Sequence, residues 1–239
     1  MKAVILQPMY LPWMGYFDLI DKSDVFVFFD DVQFVSRSWQ QRNKIKTPQG
    51  WIWLTIPISR AFGSRIKINE MKIDNGSNWK KKHLESMRYN YGKSPFCKEY
   101  MDFLEEIYDQ DWEYLAGLNI TFVKRITAIL GLQGKFIRSS ELGVEGVKTE
   151  HLIDISKKVG ANEYISGPAA KDYIQVDKFK SAGIQLYWHE FHHPSYPQLY
   201  GDFIPYMSVI DLLFNTGENA INYIREGSKN ALILDEGIK

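Results

Sequence analysis

The chain of 239 residues has one cysteine and no long apolar run. The lone Cys97 excludes an intramolecular disulfide and a zinc site built from cysteines. The apolar runs reach only about five residues, whereas a helix that crosses a bilayer needs about 20. The run at residues 3–6 is also shorter than the roughly 7–15 apolar residues of a secretory signal. We therefore expect a soluble, cytoplasmic protein without membrane insertion.

The sequence also lacks the common cofactor and metal motifs. Residues 166–170 have neither the glycine spacing of a dinucleotide fingerprint nor a Walker sequence. Three histidines cluster at residues 189–193, but no cysteine is near and their spacing is not that of a zincin. We therefore expect no bound metal, and we predict that one of these histidines is a hydrogen-bonding or acid–base group in a pocket.

Net charge is absent as well, since 29 Lys and Arg residues balance 29 Asp and Glu residues. The charges are nevertheless separated along the chain. Residues 32–69 contain seven basic side chains and no acid, and residues 99–123 contain seven acids and no base. The basic residues are Arg37, Arg42, Lys44, Lys46, Arg60, Arg65 and Lys67. This local charge predicts a site for one small anionic ligand, whereas the neutral total argues against nucleic acid as a partner.

Short apolar segments alternate with helical patterns along most of the chain. The predicted strands are residues 3–6, 24–29, 135–138, 163–166 and 184–188, with a further β-rich segment at residues 51–58. Apolar residues recur at helical spacing over residues 79–91, 100–108 and 115–129. This alternation is typical of an α/β fold with a parallel sheet. We predict one α/β domain over residues 1–239, with a Rossmann-like core and a helical insertion or lobe at residues 77–132.

Ligands of a parallel α/β sheet bind beyond the carboxyl ends of its strands. Three loops follow predicted strands in this way, at residues 7–17, 30–46 and 166–173. In the second loop, arginines can bind phosphate through their guanidinium groups and Trp39 offers a stacking face. The alternative for residues 37–46 is an exposed, basic β-hairpin.

Other polar residues of these loops have two interpretations each. Ser166 and Gly167 allow an anion to approach backbone amides, although a tight turn also favours small residues there. Asp30 and Asp31 follow a buried strand, where a carboxylate can bind Mg²⁺, act as a general base or simply form a turn. Asp211 lies in an apolar helical segment and is either buried with partners or part of a site.

These observations produce two sets of candidate residues. The candidate catalytic residues are Asp31, His192 and His193. The candidate substrate-binding residues are Gln7, Tyr10, Trp13, Gln33, Arg37, Trp39, Gln40, Arg42, Asn43, Lys46, Ser166, Gly167, Tyr173, Gln198 and Asp211.

Several sequence blocks occur together in one order. They are residues 7–17, 31–34, 37–40, 42–43, 53–57, 165–170 with Tyr173, 196–199 and 208–215. Over essentially the whole chain they resemble the WbqC-like protein family, which implies a role in the biosynthesis of bacterial O-antigen, lipopolysaccharide and other surface polysaccharides. The first strand, loop and helix are also similar to those of HIGH-motif nucleotidyltransferases such as pantothenate synthetase, which implies a nucleotidyltransferase-like core. The two phosphate-binding histidines of that motif are absent from residues 10–19.

We predict a transferase that moves an acyl or aminoacyl group onto the amine of a nucleotide-linked amino sugar. The basic loop would hold the diphosphate, Trp39 or Trp13 would stack on a ring, and Asp31 or a histidine of residues 189–193 would deprotonate the amine. The predicted substrate is a nucleotide sugar or another small anion, with ATP or an acyl donor as cosubstrate. The alternatives are an ATP-dependent nucleotidyltransferase or amide ligase, and a non-catalytic nucleotide-sugar-binding accessory protein. The sequence is compatible with a homodimer.

Overall fold

A computed structural model describes residues 1–59, 65–229 and 231–235 of the chain. The strands are β1 (Lys2–Leu6), β2 (Val25–Phe28), β3 (Arg42–Thr47), β4 (Gly50–Thr55), β5 (Phe136–Arg138), β6 (Glu163–Ser166), β7 (Gln185–His189) and β8 (Leu232–Leu234). The α-helices are α1 (Met14–Asp21), α2 (Trp79–Tyr91), α3 (Cys97–Asp109), α4 (Leu115–Ile129), α5 (Lys148–Lys158), α6 (Val176–Ser181), α7 (Val209–Thr216) and α8 (Ala220–Gly227).

Six strands form one sheet in the order β5-β2-β1-β6-β7-β8. The first five strands are parallel, and β8 pairs antiparallel with β7 at one edge. The mostly parallel sheet confirms the predicted Rossmann-like α/β fold. The chain leaves β1 towards β2 and β5 and later returns to the other side of β1 with β6. The carboxyl ends of β1 and β6 therefore flank the topological switch point of the sheet.

The apolar runs become strands because both faces of the sheet are covered. Along β1 and β2, Val4 and Phe26 point into one core, whereas Ile5 and Val27 point into the other. Helices α5 and α6 supply apolar side chains to the second core, and the remaining helices pack in the first. A strand that is buried on both faces has a continuous apolar sequence, and β1 and β2 could therefore be predicted from the sequence.

The segment after β2 forms a separate antiparallel hairpin of β3 and β4. Its register places Lys44 opposite Trp53 and Lys46 opposite Trp51. The sequence offered an exposed, basic hairpin as an alternative for residues 37–46. A hairpin is present from Arg42, but Asn43, Ile45 and Lys46 are buried. Arg60, the fifth basic residue of this stretch, lies outside the described residues.

The long helices α2, α3 and α4 fall within residues 77–132, where the sequence predicted a helical insertion. Their apolar faces share one core with α1 and the inner face of the sheet. The division into a domain and a lobe stays a prediction. Among the described residues, no helix combines the length and apolar character that crossing a membrane requires.

A buried polar network ties α2 and α3 to the loop after β1. The Tyr10 hydroxyl hydrogen-bonds His83 Nδ1 at 2.8 Å and also contacts the Tyr108 hydroxyl. His83 Nε2 lies 3.2 Å from the Thr55 carbonyl oxygen. Burial lowers the pKa of His83 from 6.5 to about 4, so the imidazole is neutral in the folded protein at neutral pH.

The depressed pKa of His83 makes stability depend on pH. Between pH 6.5 and about 4 the unfolded chain binds a proton that the folded protein does not, so this contribution to stability falls as the pH falls. We expect His83 to account for a loss of about 2 kcal/mol in the free energy of unfolding between pH 7 and pH 5. Urea unfolding at both pH values should show a correspondingly smaller loss in His83→Gln.

His192→Gln is the matched control, because His192 is exposed and should leave the pH dependence as it is in the wild type. Equal losses of stability in His83→Gln and the wild type would contradict the assignment.

Candidate active site at the switch point

A cleft of about 440 Å³ lies at the carboxyl ends of β1, β6 and β7. This is the place where ligands of open α/β sheets bind. Most of its lining is apolar or aromatic, with two polar side chains among them. The lining residues are Leu6, Met9, Trp13, Gly15, Tyr16, Leu19, Trp39, Asn43, Gly167, Pro168, Ala169, His189, Phe191 and Tyr206.

One wall of the cleft is an aromatic cluster around Trp13. The Trp13 ring packs edge-on against Phe191, with centroids 5.3 Å apart, and lies 5.4 Å from the ring of Tyr206. His193 stacks on the indole at 6.1 Å with an interplanar angle of 17°. The indole also lies directly against Gly15, where a Cβ atom would be only 2.3 Å from the ring. Trp13 is therefore held rigidly as part of the wall.

A histidine and a carboxylate meet beneath this wall. His189, the last residue of β7, places Nε2 2.5 Å from Oδ2 of Asp18, which lies in the middle of α1. His189 is 3% exposed and Asp18 is fully buried. The second carboxylate oxygen of Asp18 has no hydrogen-bond partner among the described residues, and Lys22 Nζ is 3.9 Å away. His189, which lines the cleft, thus belongs to a buried Asp–His pair.

The hairpin of β3 and β4 contributes Asn43 to the lining, so we call this edge of the cleft its rim, and the hairpin carries cations that rest on tryptophan rings. Trp39 lines the cleft, is 41% exposed and lies 5.3 Å from the ring of Trp53. The Arg42 guanidinium carbon lies 4.1 Å from the centre of the Trp53 ring, and Lys44 Nζ is within 6 Å of both rings. Trp39 is more exposed than Trp53 and therefore the freer stacking surface, with Lys44 beside it and Arg42 on the neighbouring Trp53 ring.

The two charged stretches of the sequence differ in their ion pairs. Glu105, Glu106 and Glu113 of the acidic stretch bind Arg88, Arg125 and Lys72 respectively. In the part of the chain that the structure describes, Arg37, Arg42 and Lys44 form no ion pair with a carboxylate. The acidic surface is thus partly neutralised by the protein itself, whereas the basic loop keeps cations available for a ligand.

Two comparisons with known proteins bear on this architecture. The model of the WbqC-like protein family matches residues 7–223, over nearly the whole fold that forms the cleft. The chain belongs to the WbqC-like protein family. This WbqC-like protein is 37% identical over 226 residues to the uncharacterised protein Rv1507c of Mycobacterium tuberculosis, covering 94% of this chain and 97% of that relative. No solved structure matches it.

Four of the predicted substrate-binding residues of the WbqC-like protein line the cleft: Trp13, Trp39, Asn43 and Gly167. Two others hold its loops together. Gln40 donates from Nε2 to Oε1 of Gln7 at 2.8 Å, and its own Oε1 accepts from the Val35 amide at 3.1 Å. Their side-chain amides are thereby bonded within the protein, so we expect them to support the cleft.

The remaining binding candidates lie away from the lining of the cleft. Tyr10 is in the buried network with His83, and Ser166 is buried at the end of β6. Gln33, Arg37 and Tyr173 are exposed. The Arg37 amide donates to Gln41 Oε1 at 2.7 Å, which holds this residue in the left-handed region at φ 58°.

Asp211 and Gln198 belong to a second buried network. The Asp211 carboxylate accepts hydrogen bonds from Tyr91, Tyr196 and Gln198 at 2.6, 2.9 and 2.8 Å. Burial raises its pKa even though these donors favour the charged form. The Lys46 ammonium lies nearby and donates to the Asp202 carbonyl oxygen at 2.5 Å. The Asp211 carboxylate thus has three donors within the protein, which is what a buried carboxylate on α7 requires, and its role in substrate binding stays a prediction.

The three candidate catalytic residues have different surroundings. Asp31 lies beyond β2, accepts a hydrogen bond from Ser139 at 2.5 Å and pairs with His151 at 3.4 Å. His192 is exposed. Both ring nitrogens of His193 are hydrogen-bonded to backbone, at Pro194 and Tyr206, and burial lowers its pKa. As catalytic residues, the three stay predictions.

Sequence reasoning missed Asp18 and placed His189 only within the histidine cluster. A usable signal was present, since Asp18 is an acid between apolar neighbours in a helix that is buried almost throughout. Such a residue needs a polar partner, but the partner is 171 positions away in the sequence. Within the described ranges, no group of three His, Cys, Asp or Glu side chains is arranged to hold a metal ion.

Two glycines of the cleft provide a matched test of this packing. A Cβ at Gly15 would clash with the Trp13 ring, whereas a Cβ at Gly167 would have no neighbour within 4 Å. We expect Gly15→Ala to lower the free energy of unfolding by about 1–3 kcal/mol and to change the near-ultraviolet circular dichroism of the indole.

Gly167→Ala should stay within about 1 kcal/mol of the wild type, because φ −71° and ψ 157° suit alanine. A Gly15→Ala protein as stable as the wild type would refute the contact between Trp13 and Gly15.

Proposed function

We propose that this WbqC-like protein is an enzyme that transfers an acyl or aminoacyl group to the amine of a nucleotide-linked amino sugar. The supporting observation is an aromatic cleft at the switch point, bordered by a hairpin whose cations Arg42 and Lys44 have no carboxylate partner among the described residues. Family membership is compatible with this activity and leaves the substrate open. Biosynthesis of O-antigen or another surface polysaccharide, and a cytoplasmic location, belong to the same proposal.

The arrangement of the cleft suits a ligand with one flat end and one charged end. The exposed Trp39 ring offers a stacking face for a nucleobase or a sugar. Lys44 lies beside that ring and Arg42 lies over the neighbouring Trp53, so both can neutralise a diphosphate, with Arg37 on the same loop as a further cation. A diphosphate bound at the rim would leave the sugar amine directed into the cleft. Such a ligand is small and anionic, and a nucleic acid is not required.

The proposed reaction joins the acyl carbon of a donor to the amine nitrogen of a sugar without a redox change. The lone pair of the sugar amine attacks the carbonyl carbon of an activated ester or thioester, forming a C–N bond. The C–O or C–S bond to the leaving group then breaks, and that group departs with the bonding electrons. One proton moves from the nitrogen to the leaving group, so an acid–base residue in the cleft is needed.

Removal of the rim cations should weaken substrate binding. We expect Arg42→Ala and Arg37→Ala each to raise KM, and Kd measured by calorimetry, for a nucleotide amino sugar. For Arg42 we expect about 10- to 100-fold, the equivalent of one charge-assisted hydrogen bond. The ligand is first identified in a thermal-shift screen of nucleoside diphosphates and their amino sugars. A ligand present at 100 times its Kd should raise the free energy of unfolding by about 2.7 kcal/mol.

Arg125→Ala is the control, because this arginine is exposed and paired with Glu106 on the helical side of the protein. An unchanged Kd in both Arg37→Ala and Arg42→Ala would show that the basic loop does not bind the nucleotide sugar. Pyrophosphate release from ATP with a carboxylic acid would instead favour the amide ligase, and binding without turnover of any donor would favour the accessory protein.

A further inference from the structure

We propose that His189 is the general base of the cleft and that Asp18 is the residue that positions it. This inference rests on the proposed function for its substrate, but its geometry concerns the protein alone. The pair is built from two distant segments, the middle of α1 and the end of β7, which meet at the carboxyl edge of the sheet. His189 lines a cleft large enough for a small ligand, and Asp18 is buried behind it.

Burial makes the pair costly as a stabilising device. Moving a carboxylate and an imidazole out of water carries a desolvation penalty that a single hydrogen bond does not offset. The carboxylate is also incompletely satisfied, since Oδ1 of Asp18 has no hydrogen-bond partner among the described residues. The buried carboxylate of Asp211, by contrast, accepts hydrogen bonds from three donors. The difference points to a chemical role for Asp18 and a structural role for Asp211.

The contact with Asp18 determines which ring nitrogen of His189 is basic. An ionised carboxylate only accepts hydrogen bonds, so Nε2 of His189 must carry the hydrogen that it donates to Oδ2. In the neutral imidazole, the lone pair then resides on Nδ1. That nitrogen forms no hydrogen bond within the described part of the chain, and His189 lines the cleft. A ligand amine in the cleft would therefore find a proton acceptor.

In the proposed step, His189 moves one proton from the amine to the leaving group. As the amine attacks the acyl carbon, Nδ1 of His189 takes the proton from the nitrogen, and the imidazolium is stabilised by Asp18. The bond between the acyl carbon and the leaving oxygen or sulfur breaks, and the leaving atom takes the bonding electrons. It then receives the proton from Nδ1, which regenerates the neutral imidazole. The products are an amide and a free alcohol or thiol.

The first experiment measures the tautomer of His189 in the full chain by nitrogen-15 NMR of ring-labelled histidine at pH 7.5. We expect the neutral Nε2–H form in the wild type. In Asp18→Asn the amide can donate to Nε2, so the ring should change to the Nδ1–H form. Asp21→Asn is the matched control on the same helix, because Asp21 pairs with Arg225 at the surface and should leave the tautomer unchanged.

The second experiment separates binding from proton transfer. With a nucleotide amino sugar and an activated thioester as probes, His189→Gln and Asp18→Asn should lower kcat at least about 100-fold while Kd for the nucleotide changes less than about threefold. An Nδ1–H ring or an imidazolium in the wild type, or normal turnover in His189→Gln, would overturn the dyad. If no nucleotide sugar binds, the proposed function is wrong. The tautomer measurement needs no substrate and still tests whether Asp18 fixes the hydrogen on Nε2 of His189.

Discussion

The site depends on donors that satisfy the carbonyl groups of the loop between β1 and α1. This irregular segment is buried, and an unpaired buried carbonyl is unfavourable. Asn43 donates from Nδ2 to the Tyr10 and Leu11 carbonyl oxygens at 3.2 and 2.7 Å. Asn119 of α4 donates to those of Pro8 and Gln40 at 3.2 and 2.7 Å. Two amides therefore fix the loop after β1 against the basic loop, which holds Trp13 and Trp39 at the same cleft.

Most strands and helices could be predicted from the sequence because burial produces characteristic spacings of apolar residues. The parallel strands appear as short apolar runs, the long helices as repeats of three and four residues, and the loops at strand ends as polar interruptions. Strand β8 has no such pattern, because it is three residues long and two of them are exposed. It is defined by its pairing with β7. Its position depends on a tertiary contact that no local pattern encodes.

The candidate site was predicted less completely, for a physical reason. A polar residue among apolar neighbours looks the same in sequence whether it binds a ligand or completes a buried network. Asp211 and Tyr10 are bonded within the protein, whereas Asp18 retains an oxygen without a hydrogen-bond partner in the described residues. Only the three-dimensional contacts separate these cases, because at least one partner of each residue is 73 to 171 positions away in the sequence.

The strand order brings the cationic hairpin and the proposed base to the same cleft. The β1 side of the switch point supplies Trp13 and Asp18 through the loop and helix that follow it, and the β7 side supplies His189. The cationic rim comes from the hairpin after β2, which Asn43 anchors to that same loop. A charge held on the hairpin and a base held on the sheet are thus fixed relative to one another by hydrogen bonds from side-chain amides to the backbone. Such preorganisation is what transfer between two bound groups requires, because the orientation is set before the ligands arrive.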